Sequence, residues 1–232
     1  RLIIENTPQQ VAQWAANYII AQIKNKEQHT SSPFVLGLPT GSTPLETYKE
    51  LIRRHKTGEV SFKNVITFNM DEYVGLPEEH PESYHSFMWN NFFKHVDIRP
   101  ENVNILDGNA DDLAKECADY EARIVEAGGT DLFMGGVGED GHIAFNDPPV
   151  ADFADKRIIK PVRLDEICRN QQVNDGCFAR LEDVPKTALT LTIPTLFNAD
   201  YLFCSVPAAT KADAVYHTVT DAEISTKCPA TI

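Results

Sequence analysis

No apolar run in this 232-residue chain approaches the ~20 residues that a membrane span needs. The opening residues, RLIIENTPQQ, lack the apolar core of a secretory signal. No Ser/Gly/Pro-rich linker, low-complexity tract or internal repeat divides the chain, so one domain is expected over residues 1–232. There is no Cys-x-x-Cys, and no Cys/His group has zinc spacing, so no metal is expected. The 5 cysteines (Cys117, Cys168, Cys177, Cys204, Cys228) are odd in number and widely spread; they read as buried free thiols in a reducing cytoplasm. Basic residues are also short, 21 against 34 acidic, for a formal net charge of -13. That balance argues against nucleic acid and anionic membrane as partners. It does not exclude a small anion held by backbone N–H groups and one or two local cations, nor a homo-oligomer.

What is present is an ordinary globular composition, 42% apolar and 24% charged, with helical and extended patterns in alternation. Residues 7–24 predict a helix: Thr7 as N-cap, Pro8 at the first helical position, Gln10 completing a capping box, and Val11, Trp14, Ala15, Tyr18 and Ile19 on one face. Phe34–Leu38, Val65–Phe68 and Asp131–Met134 predict buried strands, with helical patterns near 44–55, 83–94 and 110–127 between and around them. Ala188–Ile193 and Tyr201–Val206 read as later strands and Lys211–Val219 as a helix, whereas 149–186 is irregular and a candidate lid. The alternation predicts a three-layer α/β/α fold with a largely parallel, Rossmann-like sheet. In such sheets ligands bind beyond the carboxyl ends of the strands, and the polar motifs of this chain follow strand candidates.

The densest motif is GGVGEDGHIAFNDP, Gly135–Pro148, with Asp140, His142 and Asp147 directly after the apolar run Leu132–Met134. Carboxylates flanking an imidazole can orient it and raise its basicity, which makes a proton-handling site. On the DGH triplet by itself, a polar turn with a solvated histidine is the better reading. GLPTGSTP, Gly37–Pro44, places Gly41, Ser42 and Thr43 before a helix start, with Thr43 as N-cap, Pro44 first in the helix and Glu46 three beyond the cap. That loop fits a phosphate or a plain strand–helix turn equally, and is neither a Walker A loop nor a dinucleotide fingerprint. In FNMDEYVGLP, Asp71 and Glu72 follow a strand, where a carboxylate is placed to take a proton from carbon next to a carbonyl or imine; a loop or capping carboxylate is the commoner use of a lone Asp. Lys211 stands at a helix start, where it opposes the dipole, so a ligand is a candidate reason for it. His80, His85 and His95 match no common metal spacing, and Phe87, Trp89, Phe92 and Phe93 read as core or interface packing.

Together, LGLPTGSTP, ITFNMDEYVGLP, HPESYHSFMWNNFF and GGVGEDGHIAFN, in order over the first two thirds of the chain, resemble the glucosamine-6-phosphate deaminase (isomerase) family. The resemblance implies conversion of a sugar phosphate, glucosamine 6-phosphate, to fructose 6-phosphate and ammonia with no metal or organic cofactor. It implies Asp71 as the base moving a proton between C2 and C1, and His142, supported by Asp140 and Asp147, as the group that opens the pyranose ring. It implies Gly41, Ser42, Thr43 and Lys211 as the phosphate holders.

Three departures from the family stand out. Asp147 replaces the family's usual Glu, a methylene shorter. The segment PPVADFADKRIIKPV is unlike the deaminases, and the family's phosphate-binding Arg has no clear counterpart, Arg169 being a candidate. The chain ends at CPATI, short of the terminal strand and helix that the resemblance leads one to expect. LDEICRNQQVNDGCF and ALTLTIPTL resemble a distant branch of the superfamily, which also contains the 6-phosphogluconolactonases. A lactone hydrolase and a non-catalytic sugar-phosphate sensor are therefore the alternatives; the carbon base at Asp71 distinguishes the deaminase from the first, and turnover distinguishes it from the second.

Overall fold

Thr7 starts the first helix as its side chain requires: its hydroxyl accepts from Gln10 N at 3.2 Å. The Gln10 amide oxygen returns to the N–H of Asn6 at 3.1 Å, so the reciprocal arm of the capping box closes one residue earlier than the pattern predicts. The computed structural model describes residues 1–221 and 223–232. In chain order the helices and strands are α1 (Pro8–His29), β1 (Phe34–Leu38), α2 (Leu45–Lys56), β2 (Val65–Asn69), β3 (Asp71–Tyr73), α3 (Tyr84–Asn91), β4 (Val103–Asn104), α4 (Leu113–Glu126), β5 (Leu132–Gly135), β6 (Ile159–Arg163), α5 (Glu166–Asn174), β7 (Thr187–Leu191), α6 (Ile193–Phe197), β8 (Tyr201–Cys204) and α7 (Ala212–Thr220). None of the described helices is long and apolar enough to cross a membrane.

The main sheet has the order β4-β2-β1-β5-β8, and every pairing in it is parallel. Side chains alternate across it as strand geometry demands. Phe34, Leu36, Leu38, Leu132 and Met134 pack with α1, α2 and α3 on one face. Val35, Phe68 and Phe133 pack with Tyr120 and Ile124 of α4 on the other. The buried side of α1 is Ala12, Ala15, Ala16, Ile19, Ile20 and Ile23, rotated from the expected stripe. The alanines let α1 approach the sheet, while Trp14 and Tyr18 stack at its flank and meet Phe203 edge-on. The helix runs on to His29, and Lys26 near its end is held by Asp131, Nζ to Oδ2 2.6 Å.

A second sheet, β3-β7-β6, is antiparallel. This corrects the reading of 149–186 as irregular: the segment contains β6 and α5. The strand is hidden in sequence because its buried positions include Lys160, neutralised by Asp155 at 3.1 Å and bonded to Val150 O at 2.7 Å, and because Pro161 interrupts it. Proline is tolerated there because β6 is an edge strand. The strand expected at Ala188–Ile193 is β7 of this sheet, and Ile193 already begins α6 after Thr192. The two sheets meet at Met70, whose N–H donates to Leu38 O at 3.3 Å and whose carbonyl accepts from Leu191 N at 2.8 Å. Asp71 is therefore fixed at the junction, between the end of β2 and the start of β3.

Gly108 closes against that junction. Its carbonyl accepts from Gly75 N at 3.0 Å, and a Cβ at this position would overlap the carbonyl oxygen of Tyr73. Gly108→Ala is expected to destabilise the fold by about 1–3 kcal/mol, the usual penalty for overpacking. The check is the midpoint of urea unfolding, and an unchanged midpoint would contradict the close approach.

Candidate active site

The loop after β1 leaves polar groups uncommitted. Gly41 has φ +97, a conformation that favours glycine. Thr43 is not the hydrogen-bonding cap that the sequence suggests: Pro44 flanks α2 in helical conformation, makes no side-chain cap, and the turn closes through Leu45 N to Ser42 O at 3.4 Å. The Ser42 and Thr43 hydroxyls thus stay available, and Gly41, Ser42 and Thr43 line the wall of a cleft. Lys211 faces the same cleft. It is 3% exposed, ends a short 3-10 turn before α7, and its ammonium has no hydrogen-bond partner, with Glu139 Oε1 3.6 Å away. A buried ammonium with no hydrogen-bond partner, matched only by a carboxylate at 3.6 Å, carries a desolvation cost that an anion would relieve. The start of α2 adds the positive end of a helix dipole to the same wall.

His142 stands opposite, on the loop that β5 feeds. The loop is cinched by Gly138 N to His142 O at 2.9 Å and Gly141 N to Gly138 O at 3.1 Å, with Gly141 at φ +83. Asp140 Oδ1 accepts from His142 N at 3.1 Å and lies 2.7 Å from Nδ1. An ionised carboxylate only accepts, so this contact puts a proton on Nδ1 and leaves Nε2 as the other functional nitrogen. A tight turn over Ile143–Asn146 follows, with Ala144 at φ +50. Asn146 locks it by donating to the carbonyls of Ile143 and Leu191, both at 2.9 Å. The turn brings Asp147 back to His142, but Oδ1 stops 3.5 Å from Nδ1 and has no hydrogen-bond partner. The first turn of α5 places Cys168 beside them, and donor atoms of His142, Asp147 and Cys168 lie within 4.8 Å of one another.

The third wall carries Asp71 and Tyr84. Glu72 turns away to accept from Tyr73 N at 2.8 Å, Tyr84 N at 3.0 Å and His85 N at 2.9 Å, holding the first turn of α3. Asp71, His142, Lys211, Gly41, Ser42 and Thr43 thus share one cleft, with Asp140 and Asp147 behind His142. Arg169 is not in the cleft lining: it is 8% exposed, and its guanidinium donates to Leu181 O and Val184 O at 2.5 and 3.0 Å, tying α5 to the following loop. Sequence reasoning also missed Tyr84, Gln171 and Gln172, which line the cleft. Tyr84 lies in an aromatic segment that reads as packing, and the glutamines lie in the segment left unassigned. Of the cysteines only Cys168 is buried, although all are free.

The electrostatics divide the acids. Burial, then the charge of Glu72, push Asp71 up to about 8, with Asp147 adding to the rise and His142 opposing it. Burial raises Glu72 to about 7, against the pull of its backbone donors. Burial also raises Asp147, against the attraction of His142. Asp140 goes the other way: burial favours its neutral form, but the His142 hydrogen bond and charge outweigh it, and it is held below the usual carboxylate range. His142 is raised, because Asp140 and Asp147 outweigh the burial that favours neutral imidazole. Environments that push neighbouring carboxyl groups apart allow one to stay ionised while another exchanges a proton near neutral pH.

A buried acid with a raised pKa costs stability as pH rises. Above its unfolded value of 3.8, the unfolded chain has released the proton that folded Asp71 keeps until about 8, so stability falls across that window. Asp71→Asn removes the penalty and is expected to stabilise the protein at pH 8–9 by more than about 1 kcal/mol, with less gain near pH 5. Thermal unfolding of both proteins at the two pH values checks this, and a pH-independent difference would contradict it.

Comparison with known proteins agrees with this geometry. The family model for glucosamine-6-phosphate isomerases/6-phosphogluconolactonase matches residues 6–163. The glucosamine-6-phosphate deaminase of Parabacteroides distasonis is 54% identical over 219 residues, covering 94% of this chain and 80% of that protein. That of Aeromonas hydrophila is 54% identical over 215 residues, covering 93% and 79%. Among solved structures, a monomeric glucosamine-6-phosphate deaminase superposes with a TM-score of 0.90 at 38% identity, covering 98% of this chain and 90% of that one. The 6-phosphogluconolactonase of Thermotoga maritima, with a TM-score of 0.74, 19% identity and coverage of 95% and 89%, shares the fold. On its sequence and its structure, this chain belongs to the glucosamine-6-phosphate isomerase/6-phosphogluconolactonase family.

Proposed function

We propose that this chain is a glucosamine-6-phosphate deaminase, which takes glucosamine 6-phosphate and water to fructose 6-phosphate and ammonia. The observation that carries the reading is a buried carboxylate, Asp71, facing the same cleft as the His142–Asp140 pair and the unpartnered ammonium of Lys211. The phosphate sits on Lys211 and the Gly41–Thr43 loop, which fixes the sugar at its C6 end. His142, oriented by Asp140, moves the proton between the anomeric hydroxyl and the ring oxygen, opening the pyranose. Asp71 then takes the C2 proton and returns it to C1, turning the aldose amine into a ketose imine. Water adds to the imine carbon and ammonia leaves. A raised pKa matches Asp71 to this task, because a base that must also return its proton works best near the operating pH. The 5 free cysteines suit a reducing compartment, and we place the enzyme in the cytoplasm.

The test is release of ammonia and fructose 6-phosphate from glucosamine 6-phosphate, with hydrolysis of 6-phosphogluconolactone measured in parallel. Deaminase turnover is expected, with kcat/KM climbing as pH rises through an apparent pKa near 8, where the Asp71 cluster gives up its proton. Asp71→Asn is expected to lower kcat by at least about 100-fold while substrate still binds. Lactone hydrolysis without deamination, or near wild-type kcat in the variant, would overturn the reading.

Lys211→Ala is expected to weaken glucosamine 6-phosphate and inorganic phosphate alike. Loss of a buried charge-assisted contact costs about 1.5–3 kcal/mol, or roughly tenfold to a hundredfold in affinity. Inhibition by inorganic phosphate checks it, and unchanged inhibition would return Lys211 to a structural role.

A further inference from the structure

We propose that His142, Asp147 and Cys168 form a binding site for a soft divalent cation such as Zn2+, and that its occupation silences the enzyme. No spacing in the sequence announces the site, because its donors come from the two sides of the Ile143–Asn146 turn and from α5. Thiolate, imidazole and carboxylate are the three donor types that zinc prefers. Their donor atoms already lie within 4.8 Å of one another. A tetrahedral zinc with bonds of about 2.0–2.3 Å needs donors roughly 3.5 Å apart, and His142 Nδ1 and Asp147 Oδ1 are at 3.5 Å.

Two further observations point to a cation rather than to mere proximity. Asp147 is 1% exposed and its Oδ1 has no hydrogen-bond partner, so a buried acceptor is left facing the imidazole. Asp140 Oδ2 is likewise buried and unpartnered. The pocket therefore holds more acceptor capacity than its own groups use, with Asp71 adding another buried carboxyl. Binding sends the Cys168 thiol proton to solvent and moves the His142 proton from Nδ1 to Nε2, freeing the Nδ1 lone pair; the thiolate and the ionised Asp147 carboxylate then balance the two charges of the cation. Cys168 is wholly buried and its helix turn is fixed by Asp165, which accepts from Cys168 N at 2.8 Å, so the sulfur is held in place. A metal on Nδ1 displaces the contact with Asp140 and takes the imidazole out of proton transfer.

That the metal inhibits rests on the proposed role of His142; that it binds does not, and the experiment separates the two. The full chain is titrated with Co2+ and the near-ultraviolet thiolate-to-cobalt band is followed, then Zn2+ is added and turnover measured before and after EDTA. A band saturating at one equivalent, abolished in Cys168→Ser, is expected. Zn2+ is expected to remove the band and the activity together, and EDTA to restore the activity. Cys168→Ser is expected to keep metal-free turnover but to need about tenfold more Zn2+, or beyond, for half-inhibition. Cys168→Ala, checked for native circular dichroism, stands in if the serine variant folds poorly. A band that survives in the variants, or equal Zn2+ sensitivity in wild type and variants, overturns the site. A Cys168-dependent band without inhibition overturns the silencing and counts against His142 in catalysis, while leaving the binding site standing.

Discussion

The pairing of His142 with Asp140 is the interaction on which the rest of the site depends. It is a short contact, 2.7 Å, inside a pocket that contains more buried carboxyl groups than cations to match them. Asp140 accepts a hydrogen bond from the imidazole Nδ1–H and stays ionised, whereas burial drives Asp147 and Asp71 toward their neutral forms, Glu72 adding to the rise of Asp71 and His142 opposing both. Burial and the histidine together thus set the three acids to different protonation levels. The arrangement costs stability as pH rises from about 4 to 8 and leaves the cleft a carboxyl group that exchanges its proton near neutral pH.

The two sheets explain how that cluster is held. The parallel sheet delivers Gly41–Thr43, Asp71, the histidine loop and Lys211 to one end of its strands, as open α/β sheets do. The antiparallel sheet adds rigidity where the parallel one stops. Met70 is bonded into both, and Thr190 of β7 pairs with Asp71 and accepts from Phe145 N at 3.1 Å. Asp71 and the histidine turn are therefore tied to the same strand, which fixes their relation to each other better than a loop could.

Much of this is legible in sequence because strand ends and polar motifs coincide. Phe34–Leu38 is a strand with the bounds its apolar run predicts, and the motif residues Asp71, His142 and Lys211 reach one cleft. What was not legible has physical causes. A strand with a buried, paired Lys160 and a proline at the edge does not alternate, so β6 is invisible to a periodicity argument. Glu72 reads as a second active-site acid, whereas its three backbone donors are satisfied only when α3 packs against β3. Arg169 stood as a candidate for the family's phosphate-binding Arg, but its guanidinium is taken by carbonyls 12 and 15 residues away, which sequence does not show. The cluster of Cys168 with His142 and Asp147 is a product of the fold alone.

The central claim is that Asp71 carries the proton between carbon atoms. The direct measurement is exchange at C1 of fructose 6-phosphate in D2O with ammonium present, followed by proton NMR in the wild type and in Asp71→Asn. The account predicts deuterium entering one C1 position stereospecifically in the wild type and no enzyme-dependent exchange in the variant. Exchange at the wild-type rate in the variant would place the carbon base elsewhere and contradict it.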